Sequence, residues 1–353
     1  METALQLVAE QINEIIGSDD FPARIRPEIL KQAVQDYPVH GGKRLRPAIL
    51  MWSCRMLGGD ERQALYPAAA LEVWHNWTLV HDDIIDGDCT RRGRPTTHCL
   101  LAGHGRKFFQ LSPGEAAAHG VNMAILCGDL QQSWANSLML KSAAAGVAPE
   151  LVLALLRRLQ ELAAVELISG EAADVEFAVR PIEEISVNDV IAMIIGKTGA
   201  LFCAAAEIGA ALALGTFQSP LVNDLGRCAE AAGIAFQLRD DLLGTFGDLR
   251  TFGKEIGSDL RERKPTVLLM FTLQLAEEND RNAIRAMLGR NDLGSADLAE
   301  ARRIMMDCGA YDRIVGEAAI YAQRSRDLLE NFPDNEYRTL LMKLINYLTS
   351  RNR

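Results

Sequence analysis

His81-Asp82-Asp83-Ile84-Ile85-Asp86-Gly87 closes a run that starts near Glu61 and reads as one long helix. Asp82 and Asp86 are four residues apart, so their carboxylates fall one turn apart on one face, with Asp83 beside them. Three anions in the last turn oppose the helix macrodipole at about 0.3–1 kcal/mol each, and they repel one another. A helix end with only a structural task would carry Lys or Arg there. A divalent cation relieves the conflict, since Mg²⁺ takes oxygen ligands, keeps several waters and is held by one or two carboxylates plus substrate phosphates. Thr90-Arg91-Arg92-Gly93-Arg94-Pro95-Thr96 follows at once. Guanidinium forks match phosphate oxygens, so cations beside a metal site point to phosphate chemistry.

Phe236-Gln237-Leu238-Arg239-Asp240-Asp241-Leu242-Leu243-Gly244 repeats the theme more than 150 residues downstream, inside a second long helical run from Pro220 to Phe246. Two such helices can face each other across a bundle core and share a metal cluster. Apolar residues recur at helical spacing almost everywhere, as in Leu151, Leu155, Leu159 and Leu162 or Leu340, Leu341, Leu344 and Leu348. Period-two alternation is scarce, and Ser186 to Leu214 is long enough to be another central helix. The expected fold is all-α, a bundle of long helices in one domain spanning residues 1–353.

Composition narrows the partners. The formal net charge of −10 repels nucleic acid, so an anionic ligand needs metal and concentrated cations. Gly41-Gly42-Lys43-Arg44-Leu45-Arg46-Pro47 concentrates three cations in four residues at a helix start, where the macrodipole disfavours them; an anionic ligand would explain it. Gly247-Asp248, Lys254, Asp259 and Lys264 lie in a Gly-rich stretch able to fold over bound phosphate. Seven scattered cysteines without a CxxC pair argue against a disulfide framework or zinc site. No signal peptide is evident at the N-terminus, and Leu151 to Ile168 is broken by Arg157, Arg158, Glu161 and Glu166. The reading is a cytoplasmic protein with no transmembrane segment.

Taken together, these motifs, with Gly128-Asp129 and Lys197-Thr198, resemble the all-trans isoprenyl diphosphate synthases, over roughly Gly41 to Thr266. The resemblance implies helices around a deep central cavity, usually a homodimer, that joins isopentenyl diphosphate to an allylic diphosphate with Mg²⁺ as cofactor. It implies that Asp82 and Asp86 ligate metal, with Asp83 alongside, and that Asp240 holds a further ion, with Asp241 next to it. Arg91, Lys197, Thr198, Gln237 and Lys254 would hold the allylic diphosphate. Lys43, Arg46, His75 and Arg92 would hold isopentenyl diphosphate, with Lys264 an extra phosphate contact. Two departures stand out: Gly244 replaces a third Asp, and Glu171 replaces Gln in Gly170-Glu171-Ala172-Ala173-Asp174.

In this family, product length follows cavity depth below the first acidic motif. Trp77 lies five residues before Asp82, about 7–8 Å along the helix, with Thr78 next and Trp74 a turn further back. Such bulk resembles short-chain synthases, geranylgeranyl first and farnesyl next; the helical wheel leaves open which tryptophan faces the chain. Two rival functions are a non-catalytic subunit of a heteromeric prenyltransferase and a terpene cyclase, the latter having no need of a second diphosphate site. Gly196-Lys197-Thr198 imitates the end of a P-loop, but Ile191 stands where that loop needs Gly and no strand precedes it.

Overall fold

A computed structural model describes residues 1–247 and 257–350. Its helices divide into two compact units, Met1–Arg157 with Glu207–Ser219, and Arg158–Ala206 with Pro220–Arg353.

The first unit contains α1 (Glu2–Ser18), α2 (Glu28–His40), α3 (Leu45–Met56), α4 (Glu61–Ile85), α5 (Thr97–Phe109), α6 (Pro113–Lys141) and α7 (Pro149–Arg157). Helix α1 buries Leu5, Val8, Ile12 and Ile16, a stripe of helical period, and exposes Gln6, Glu10 and Glu14, with Leu7 exposed among them. The Asp60 side chain accepts from the Arg62 N–H and caps α4, which therefore starts where the sequence places it. Helix α6 opens with a capping box between Ser112 and Glu115 and Pro113 at its first position. It packs along α4 and α5.

Between α4 and α5 the chain forms a small hairpin, β1 (Thr90–Arg91) and β2 (Arg94–Pro95), with Arg91 opposite Arg94. Its two turn residues, Arg92 and Gly93, have φ of 54° and 74°. Positive φ at both central positions marks a type I′ turn, whose twist suits a two-residue hairpin. The hairpin is too short to alternate visibly, which is why an all-helical reading passes over it.

The second unit holds α8 (Ala164–Val179), α9 (Val187–Ile194), the first half of α10 (Ala200–Leu214), α11 (Pro220–Phe246), α12 (Ser258–Arg261), α13 (Val267–Leu275), α14 (Glu278–Met287), α15 (Ser295–Asp307), α16 (Ala310–Leu329) and α17 (Glu336–Ser350). Its core gathers Ile194, Ile234, Leu238, Leu242, Val267, Leu268, Ile304 and Ile314. Two π-helical turns interrupt the regular helices, Arg158–Ala163 and Ile195–Gly199. The first changes the expected leucine stripe. Leu159 is buried but Leu162 is 47% exposed, and burial continues at Ala163 and Leu167. A wider turn needs more residues to come back to one face, so the buried spacing becomes four, four and four.

Among the described residues one helix, Val187–Leu214, is long and apolar enough to cross a membrane, with mean hydropathy 1.6 and half of its most apolar window buried in the protein. The sequence reading rested on Leu151 to Ile168 and passed over this helix. Length and composition alone do not separate such a helix from a core helix, and Lys197 within it is ion-paired.

Candidate active site

In the first unit the acidic motif ends α4, with Asp86 as the C-cap and its N–H bonded to the Asp82 carbonyl. Asp82 and Asp86 are half-buried, whereas Asp83 is fully buried. Asp83 accepts from the Tyr37 hydroxyl and from Arg91 Nε at 2.7 Å. Arg91 Nη2 reaches Asp82 Oδ2 at 3.0 Å. Arg91 thus supplies the cation that the helix end lacks in sequence. Burial pushes the Asp83 carboxyl up, opposed by Arg91 and Tyr37, and burial beside Asp83 pushes the Tyr37 phenol up in turn.

The Gly-Gly-Lys-Arg-Leu-Arg motif separates into two tasks. Arg44, 2% exposed, adopts φ of 50° and turns inward onto the Glu72 carboxylate, 4% exposed. It also donates to Asn13 Oδ1 at 2.7 Å and to the Gly41 and Pro38 carbonyls. One of the three clustered cations is therefore neutralised by an internal carboxylate, which corrects the reading of the whole cluster as ligand-directed. Lys43 is exposed and Arg46 is half-buried. Arg46 Nη1 lies 3.0 Å from His75 Nε2. Burial, together with the charges of Arg46, Arg92, Arg91 and Arg44, holds the His75 imidazole well below its ordinary range. His75 is then neutral at pH 7 and accepts the Arg46 N–H. Arg92 lies along the glycine pair: a Cβ on Gly41 would sit 2.3 Å from Arg92 Nη1.

Behind this turn, Trp74 is fully buried and Trp77 nearly so, their rings edge to face at 4.9 Å. Thr78 is half-buried, and its hydroxyl donates to the His75 carbonyl at 2.8 Å.

In the second unit, Lys197 and Thr198 lie in the π-helical turn. Lys197 Nζ is 2.8 Å from Glu171 Oε2 and 2.7 Å from Asp174 Oδ2. The close approach depends on two glycines, since a Cβ on Gly170 would fall 2.3 Å from Lys197 N, and one on Gly196 2.7 Å from the Glu166 carbonyl. Thr198 Oγ1 donates to Gln237 Oε1 at 3.1 Å, and Gln237 Nε2 donates to Asp241 Oδ1 at 3.1 Å. Hydrogen bonds therefore run from the π turn into the second acidic motif. Burial, then the charges of Asp259 and Asp240, push the Asp241 carboxyl up to about 8. Lys264 pairs with Glu262 at 3.2 Å, and its N–H bonds to the Asp259 carbonyl. At the site of the missing third Asp, the Gly244 carbonyl accepts the Gly257 N–H at 3.0 Å. Lys254 lies outside the described residues.

The donor sets suit Mg²⁺, a hard ion that keeps waters and substrate oxygens in its shell. Asp82 and Asp86 offer hard oxygens on the half-buried side of a helix end. Asp241 feels the charges of Asp259 and Asp240, which a bound cation would offset. Among the described residues no three His, Cys, Asp or Glu side chains form a ready-made metal cage.

Sequence reasoning missed Tyr37, for which no signal exists, and Glu72. A lone carboxylate within the apolar run Ala68-Ala69-Ala70-Leu71-Glu72-Val73-Trp74 was a signal that a buried cation faces it.

The chain matches the polyprenyl synthetase family over residues 27–305. It is 36% identical over 331 residues to a geranylfarnesyl diphosphate synthase of Aeropyrum pernix, covering 93% of this chain and 96% of that one. Its fold matches the crystal structure of a geranylgeranyl pyrophosphate synthetase from Pyrococcus horikoshii with TM-score 0.84 and 33% identity over 99% of each chain. A Corynebacterium glutamicum geranylgeranyl pyrophosphate synthase, complexed with isoprenyl diphosphate and magnesium, matches with TM-score 0.86 and 28% identity over 99% of each chain.

Proposed function

The chain belongs to the polyprenyl synthetase family and is a prenyltransferase of the isoprenyl diphosphate synthase type, and from that premise we propose that it condenses isopentenyl diphosphate with an allylic diphosphate to a product of twenty carbons. The observation that carries the site assignment is the crowding at Asp241. Its carboxyl is pushed up to about 8 by burial and two neighbouring carboxylates, at the end of a hydrogen-bonded chain through Gln237 and Thr198 in the turn that carries Lys197. Such a site takes a cation and the diphosphate that comes with it.

The allylic C–O bond breaks with its electron pair going to the departing diphosphate. The isopentenyl double bond supplies the pair for the new C–C bond, and loss of a proton restores an allylic double bond. Asp82 and Asp86 would hold Mg²⁺ and Asp240 a further ion, and the metal would supply Lewis-acid neutralisation of the leaving group. Arg91, Lys197, Thr198, Gln237 and Lys254 orient the allylic diphosphate. Lys43, Arg46, His75 and Arg92 fix isopentenyl diphosphate, with neutral His75 holding the Arg46 fork, and Lys264 is a further phosphate contact. Asp83, spent on Arg91 and Tyr37, positions the arginine. An apolar cavity keeps water from the cation. Trp74 or Trp77 floors that cavity and limits product length, with Thr78 beside them. The chain acts as one catalytic domain and pairs as a homodimer, for which the apolar side chains exposed on α5 and α6 (Phe108, Phe109, Ile125, Leu126) are candidate contacts.

The deciding experiment is product analysis of the purified protein with isopentenyl diphosphate, Mg²⁺ and a dimethylallyl, geranyl, farnesyl or geranylgeranyl starter. Elongation that stops at twenty carbons and is abolished by EDTA supports the assignment. The Aeropyrum relative's name favours twenty-five carbons as the second reading, and efficient extension of the geranylgeranyl starter would establish it. No elongation with any starter refutes the catalytic assignment.

A further inference from the structure

The Glu171 departure has a physical consequence that rests on Lys197 being an allylic-diphosphate cation. Lys197 Nζ lies between Glu171 and Asp174, which are three residues apart on one face of α8. The backbone beneath it is held against α8 by the absent Cβ atoms of Gly170 and Gly196. The ammonium therefore faces two carboxylates, and the trio carries one net negative charge. With Gln at position 171 the trio would be neutral, and Asp174 would be the one carboxylate of the trio facing the ammonium.

We propose that Glu171 is a positioning residue that latches Lys197 to α8 and makes its release conditional on a metal-loaded diphosphate. A bare diphosphate meets net negative charge and must pull the ammonium from two carboxylates at once. A magnesium diphosphate carries far less charge and loses little by the encounter. Glu171 thereby selects the metal complex over the free anion at the point where the anion docks.

Calorimetric titration of the full-length protein with inorganic pyrophosphate tests this, in EDTA and in saturating Mg²⁺, for the native chain, Glu171→Gln and Lys197→Ala. Removing one unit charge beside the docking cation is expected to tighten metal-free binding in Glu171→Gln on the order of tenfold. Binding with Mg²⁺ should change by less than about threefold. The Mg²⁺ concentration for half-maximal elongation should fall in the same variant. A merely structural Glu171 would move neither ratio. Equal affinities of native and Glu171→Gln in EDTA, or equal tightening with and without Mg²⁺, overturn the latch. The Lys197→Ala variant separates the two levels, because undiminished pyrophosphate binding there refutes the underlying role of Lys197 instead.

Discussion

Replacing Arg44 by Met should cost about 3–5 kcal/mol of stability, although the residue sits in a motif read from sequence as a ligand site. The guanidinium is 2% exposed and has acceptors on four residues: the Glu72 carboxylate, Asn13 Oδ1 and the Gly41 and Pro38 carbonyls. Its loss leaves Glu72, 4% exposed, as a buried charge without its cation. That loss is large against a typical net stability of about 5–15 kcal/mol. Glu72→Gln keeps an acceptor toward Arg44 and should cost less, about 1.5–3 kcal/mol. The double variant Arg44→Met/Glu72→Leu should recover most of the loss, because a well-packed apolar pair can replace a buried ion pair. Urea unfolding followed by circular dichroism measures all three. Arg44 also donates to the Gly41 carbonyl and so holds the turn against which Arg92 lies. The single variant should therefore raise the KM for isopentenyl diphosphate more than that for the allylic substrate. A loss below 1 kcal/mol, or a double variant no better than the single, would refute the buried-pair reasoning.

Three further outcomes follow. Asp241 has its folded pKa raised from 3.8 to about 8, so its bound proton stabilises the metal-free fold fully at low pH, and that contribution declines as pH rises from about 4 to 8. Mg²⁺ binding near pH 7 should release a proton, seen as a dependence of binding heat on buffer ionisation enthalpy, and Asp241→Asn should remove both effects. Gly170→Ala places a Cβ 2.3 Å from Lys197 N; overpacking of about 1–3 kcal/mol and a raised KM for the allylic substrate are expected, read by denaturation and steady-state kinetics. Trp74→Ala and Trp77→Ala should each cost about 3–5 kcal/mol, and at least one should lengthen the product in chromatographic analysis; unchanged length in both rejects the tryptophan floor.

Much of the fold was legible because helix formation follows local rules. Glu61 opens α4 behind the Asp60 cap and Pro220–Phe246 is one helix, as periodicity and breakers indicate. Two local features escaped. The Arg92–Gly93 hairpin is too short for alternation to register. The π turns show only through which residues they bury, as with Leu162, and burial is not a property of a segment read alone.

The candidate site divides in the same way. Sequence by itself determined the helical extents, the two acidic motifs and their attendant cations, because spacing and side-chain chemistry are local properties of the chain. Only the tertiary structure decided which of those charges are already committed. Arg44 is held by Glu72, 28 residues away, Asp83 by Tyr37, 46 away, and Lys197 by Asp174, 23 away. The reason is physical: a buried charge must find its opposite within a few ångströms, and packing rather than sequence spacing brings such partners together.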